Sequence, residues 1–218
     1  MSAGASVLTL DAGSDGSTRL DTVAQALAAG EVVVVPTDTV YGLAVATAVP
    51  GATRRLFEIK VRPEKVALPV LVADEDQASA VVDHVERAAP VTARFWPGPL
   101  TVVLPRHQSF RADLGGDGAT VAVRVPDHDF VRDLCRRVGP LATTSANLHG
   151  SEPCLSAREA MERFREAVAV VVDGGACEGL PSTVASFSDS SWTVLREGSV
   201  RAEDLAATFA RAGRTRSG

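Results

Sequence analysis

The sequence predicts an α/β protein built on one mixed sheet, and three observations carry that expectation. Short β-branched runs alternate with segments of helical spacing. Two strand-like segments near the C-terminus, STVASF and WTVLRE, are separated only by SDSS, which pairs them antiparallel. Of the 218 residues, 45% are hydrophobic, enough for one full core, so a single domain over residues 1–218 is expected.

The elements follow in order. RLDTVAQALAA at 19–29 has helical spacing, and Gly30 stops it. EVVVVP at 31–36 is a buried strand closed by proline. Residues 51–60 form a helix, and LPVLVA at 68–73 a strand. Residues 75–95 are helical, in two pieces split near Pro90. LTVVLP at 100–105 is a strand, and GGDG at 115–118 a hairpin turn into a strand at 119–125. Asp127 caps a helix through about 137, and PLATTSAN gives a short strand and a polar loop. Ser156 caps a helix through about 166, AVAVVVDGG is strand then turn, and Glu203 to Arg211 is the last helix. The tail GRTRSG is expected to be disordered.

Composition removes several function classes. A net charge of -5 leaves no basic coat for indiscriminate nucleic-acid binding, so any positive surface is local. Cys135, Cys154 and Cys177 form no CxxC pair and are expected as reduced thiols. The first eleven residues do not read as a signal peptide, and no stretch reaches the roughly 20 apolar residues of a membrane helix, so a soluble cytoplasmic protein is expected. The chain has no GxxxxGK[ST], no GxGxxG after a strand, no GxSxG and no HExxH. His84, His107, His128 and His149 lack metal-ligand spacing, so no protein-held metal is expected.

Five segments carry unusual chemistry. PTDTVYGL at 36–43 follows a buried strand with two hydroxyls, a carboxylate and the chain's single tyrosine; it is equally readable as a capping turn over a packed Tyr41. Lys60 and Arg62 sit two apart where a helix gives way to a turn. There a compact ammonium and a guanidinium fork could converge on a polyphosphate, or merely answer the helix dipole. Lys60 and Lys65 are the only two lysines among 22 basic residues, a weak hint that the ammonium itself is needed. TTSAN at 143–147 offers hydroxyls, an amide and backbone N–H groups to anionic oxygens, or is an ordinary Ser/Thr turn. LPSTV at 180–184 and LREG at 195–198 add a hydroxyl pair and an arginine at a strand end.

Taken together, PTDTVYGL, KxRP…ALPVLV, FWPGPLT, VRVPDH, TTSAN…P, DGG…PSTV and LREG closely resemble the YrdC/TsaC family of threonylcarbamoyl-adenylate synthases, in order, from about residue 18 to 202. The resemblance implies a twisted open mixed sheet with flanking helices around a concave, positively charged cavity, in the family's short single-domain form. Val61 departs from the small or polar residue more usual inside Lys-x-Arg.

The implied reaction joins L-threonine, bicarbonate and ATP into threonylcarbamoyl-AMP and diphosphate. The product passes to a tRNA threonylcarbamoyl transferase complex that modifies a tRNA adenosine. The implied catalytic residues are Lys60, Arg62, Ser145 and Asn147, with Thr143, Ser182 and Arg196 also at ATP. Threonine would meet Thr39 and Tyr41 as pocket walls, Arg124 as carboxylate partner, and Arg62 and Ser182. Mg2+ would arrive with ATP, held by its phosphates and water. Two other readings share the domain: a carbamoyl-transfer module, and an RNA-binding or ribosome-maturation module, with a weak tRNA contact as a side activity.

Overall fold

The computed structural model describes residues 5–9, 16–60, 66–148, 150–177, 179–189 and 191–212. Along the chain these form β1 (Ser6–Thr9), α1 (Gly16–Ala28), β2 (Val33–Val35), β3 (Gly42–Ala46), α2 (Ala52–Lys60), β4 (Val70–Leu71) and α3 (Glu75–Ser79). A 3-10 turn (Val85–Ala88) leads to α4 (Ala89–Phe95), β5 (Leu100–Pro105), β6 (Thr120–Arg124), α5 (Asp129–Val138) and β7 (Leu141–Ser145). The chain continues through α6 (Ala157–Phe164), β8 (Val170–Asp173), β9 (Thr183–Phe187), β10 (Trp192–Arg196) and α7 (Ala202–Arg211).

The strands make one mixed sheet in the order β1-β8-β2-β3-β7-β4-β6-β5-β9-β10. Four neighbouring pairs are parallel: β1/β8, β2/β8, β4/β6 and β5/β9. The other five are antiparallel, which matches the mixed sheet expected from sequence.

Successive strand residues point to opposite faces, and both faces are covered. Val33, Val35, Ala44, Ala46, Leu141, Val170 and Val172 bury against α1 and α5 through Val23, Leu27, Val131 and Leu134. Val34, Leu43, Val45, Val70, Ala142 and Val171 face the other way, in a cluster with Leu56, Phe57 and Val91. This explains the unbroken VVVV of the sequence: a strand covered on both sides has no polar face to alternate with. At the far edge, Trp192 stacks on Phe209 of α7 at 5.3 Å.

Four expectations are corrected. The helical stretch 75–95 breaks at 80–84, where His84 takes φ 63, and Pro90 begins α4 instead of splitting a helix. Asp127 does not cap α5; His128 holds that position without a side-chain cap bond, and the Asp127 carboxylate accepts from Arg132 at 3.3 Å. LPVLVA contributes only Val70–Leu71 as a strand. β1 and β3 went unread, because SVLT lies in a Gly/Ser-rich start and GLAVA directly follows a polar loop. Ser156 does cap α6, accepting from Glu159 N at 3.3 Å. The tail GRTRSG lies outside the described residues.

The β9/β10 hairpin contains a bulge. Val194 pairs with Ala185 but Arg196 with Val184, so Leu195 is the extra residue. Leu43 is fully buried at the centre of the sheet. Leu43→Ala is expected to lower stability by about 2–5 kcal/mol, read by urea denaturation.

Candidate active site

The 36–41 loop can be buried because it satisfies itself. Thr37 Oγ1 donates to Val40 O at 2.7 Å and accepts from Thr39 N and Val40 N, each at 3.2 Å. With the Thr37 proton spent on Val40, Thr39 donates to Thr37 across 2.9 Å and keeps a lone pair for an outside donor.

That donor is Arg124, the last residue of β6 and only 6% exposed. Its Nη1 donates to Thr39 Oγ1 at 2.9 Å, its Nε to Gly98 O at 2.9 Å, and its Nη2 to Asp38 Oδ1 at 2.5 Å. Asp127 N adds a second bond to the same Oδ1 at 3.2 Å. Gly98 reaches this position because it has no side chain; a Cβ there would lie 2.6 Å from Phe95 O. Desolvation pulls the Arg124 pKa below its ordinary value, and the Asp38 charge opposes it.

Arg196, brought in by β10, donates to Ser182 O from Nη2 at 2.8 Å and from Nε at 3.3 Å, and touches Ser182 Oγ at 3.3 Å. Ser182 Oγ in turn meets Thr101 Oγ1 at 2.9 Å. The LREG and PST segments are pressed together so closely that a Cβ on Gly198 would fall 2.1 Å from Pro181 O. Burial lowers the Arg196 pKa, and the nearby positive charge of Arg124 lowers it further. A buried and a partly desolvated guanidinium therefore repel one another here, an arrangement that an anion relieves.

On the other side of the 36–41 loop, Ala146 N donates to Tyr41 O at 2.8 Å, tying it to the TTSAN segment. Lys60, at the end of α2 and 5% exposed, donates from Nζ to Ser145 O at 2.9 Å, to Asn147 O at 2.7 Å and to Asn147 Oδ1. Ser145 Oγ also bonds Asn147 Oδ1 at 2.6 Å, while Asn147 Nδ2 donates to Ser151 O at 2.6 Å. These donors fix the amide orientation of Asn147.

The structure thus joins Thr39, Arg124, Ser182 and Arg196 at one locus, and Lys60, Ser145 and Asn147 at a second beside it. Arg62 and Val61 lie outside the described residues. Tyr41 is fully buried, donates to Gly175 O at 2.7 Å and accepts from Gly174 N at 3.3 Å, and burial drives its pKa to about 12. It braces the DGG turn, where Gly174 approaches Pro36 and His128 so closely that a Cβ would lie 2.6 Å from Pro36 Cγ. Thr143 is buried in β7, with its N–H on Pro69 O at 2.9 Å and its hydroxyl turned to the same oxygen.

Sequence reasoning missed Asp38, Gly98 and Thr101 as members of the locus. Each sat inside a quoted motif, but its partner lies tens of residues away.

The Sua5/YciO/YrdC family model, described as telomere recombination, matches residues 25–198. The threonylcarbamoyl-AMP synthase of Pyrococcus abyssi is 35% identical over 179 residues, covering 81% of this chain and 53% of that protein. The threonylcarbamoyl-AMP synthase of Photobacterium profundum is 34% identical over 186 residues, covering 83% of this chain and 99% of that protein. The crystal structure of P. abyssi Sua5 complexed with L-threonine superposes with a TM-score of 0.87 at 30% identity, covering 93% of this chain and 60% of that one. The chain spans about half the length of the archaeal synthase and nearly all of the bacterial one.

Two measurements follow from the geometry. Lys60→Met strands the loop oxygens that the ammonium satisfies, and should cost about 1–3 kcal/mol in urea denaturation. His128 has its pKa lowered by burial, more than Asp38 restores. A depressed histidine pKa stabilises the fold above the unfolded value of about 6.5, and that contribution is lost as pH falls through the folded value. His128→Gln should therefore flatten the fall in stability below about pH 6.5, measured by denaturant titrations across pH.

Proposed function

Because the chain belongs to the Sua5/YciO/YrdC family, we propose that it condenses L-threonine, bicarbonate and ATP into threonylcarbamoyl-AMP, releasing diphosphate. The observation that carries this reading is the buried guanidinium of Arg124 with a second, more exposed guanidinium, Arg196, close enough to repel it, and Ser182 alongside. Such a locus calls for anionic ligands, and this reaction brings a carboxylate, a carbamate and a triphosphate. The names of the relatives and the threonine complex of P. abyssi Sua5 support the same substrates.

The carbamate of threonine is already an anion, so attack on the α-phosphorus needs no strong base. The protein's task is to hold the nucleophile and to stabilise charge on the α-phosphate and departing diphosphate. Arg124 takes the threonine carboxylate beside Thr39 and Ser182, and Arg196 with Arg62 takes phosphate oxygens. Ser145 and Asn147 line the nucleotide side, held in place by Lys60. Mg2+ is assigned to the substrate as MgATP, held by its own phosphates and water. The adenylate then goes to a separate tRNA-modifying transferase in the cytoplasm. Among the described residues no helix is long and apolar enough to cross a membrane.

The deciding assay is diphosphate release from MgATP with threonine and bicarbonate each present or omitted. Release that needs both is expected; release indifferent to threonine would sink the reading. Arg196→Ala should raise the KM for ATP by about tenfold or more while the protein stays folded by circular dichroism, since a charge-assisted hydrogen bond contributes about 1.5–3 kcal/mol.

A further inference from the structure

We propose that Asp38 receives the α-ammonium group of the amino-acid substrate, so that Asp38 and Arg124 together form a receptor for a zwitterion. The inference rests on the reading that an amino acid docks at Arg124.

The two side chains are joined at one end and unfinished at the other. Asp38 Oδ1 takes Arg124 Nη2 at 2.5 Å and Asp127 N at 3.2 Å. Asp38 Oδ2 is buried and has no hydrogen-bond partner among the described residues. A desolvated carboxylate oxygen without a donor is costly, and such an atom in a folded protein marks a missing partner. Arg124 is unfinished in the complementary sense. Of its five N–H groups, three are directed at Gly98 O, Thr39 Oγ1 and Asp38 Oδ1 among the described residues.

An α-amino acid carries an ammonium and a carboxylate on one carbon. It matches a guanidinium and a carboxylate already in contact, each with hydrogen-bonding capacity left over. The Asp38 side chain is 15% exposed, so its carboxylate lies just beneath the surface and can turn its second oxygen to an entering ligand. The competing occupant is a water joining Asp38 Oδ2 to His128 Nδ1, which is also buried and has no partner among the described residues.

The probe is 2,3-dihydroxybutyrate of threonine's configuration, which replaces the amine by a hydroxyl and keeps the rest. Titration calorimetry on the full chain would compare it with L-threonine, for the wild type and for Asp38→Asn, in bicarbonate-free buffer. The wild type should bind threonine at least about tenfold more tightly than the hydroxy acid. Asp38→Asn should weaken threonine by about tenfold or more and the hydroxy acid by less than about threefold, a ligand–residue coupling that a merely structural role does not produce.

Equal weakening of both ligands would overturn the proposal, because Asp38 would then act only by orienting Arg124 or holding water. If Asp38→Asn does not fold, the wild-type ratio decides alone, and equal affinities overturn the proposal. A wild type that binds neither ligand and releases no diphosphate would instead overturn the amino-acid reading from which the proposal starts.

Discussion

Removing a guanidinium from water is among the costlier things a fold can do, and this one does it with Arg124. The cost is met only if acceptors converge on the group in the right plane. Here three acceptors come from two places: a carboxylate and a hydroxyl from the 36–41 loop, and a carbonyl from the turn after α4. That requirement propagates outward. The loop must bury its own polar groups, which Thr37 makes possible, and the turn must carry a glycine at 98. The neighbouring Arg196 is then held close to a like charge by Ser182 and by the contact of Gly198 with Pro181. The donors of the locus are thus fixed in place by the fold itself, and an anion bound there would meet groups that need no reorganisation.

The second locus has a different character. Lys60, Ser145 and Asn147 face one another, and the ammonium that sequence reasoning assigned to phosphate binds loop oxygens. A lysine suits this work better than an arginine would, since three donors on one small centre fit a tight ring of oxygens and a planar fork does not. The arginine-rich composition makes the exception intelligible. Tyr41 joins the loci, its carbonyl accepting from Ala146 while its hydroxyl braces the DGG turn.

Much of the fold was legible because its signals are local. The hairpin STVASF/WTVLRE, the cap at Ser156 and the all-valine strand each express a period or a turn within a few residues. The family resemblance supplied the set of site segments, and the seven residues that the structure gathers into the two loci all lie in them. It did not supply their geometry. The pairing of Arg124 with Thr39 spans 85 positions and that of Tyr41 with Gly175 spans 134, so nothing local reveals whether a tyrosine lines a pocket or props a turn. Asp127 looked like a cap for α5 because capping preference is read from residue type, whereas its carboxylate meets Arg132.

The bulge at Leu195 has a consequence for how such a site can change. Where side chains alternate, the identity of the residue that reaches a given spot depends on how many residues precede it as much as on which they are. The extra residue sets Arg196, and not Leu195, opposite Val184. A one-residue insertion ahead of Leu195, with the bulge kept in place, would thus exchange a cation for an aliphatic side chain with no codon for arginine altered. For this part of the molecule, chain length is as much a determinant of chemistry as composition, and insertions and deletions are the mutations to which its ancestry should have been least tolerant.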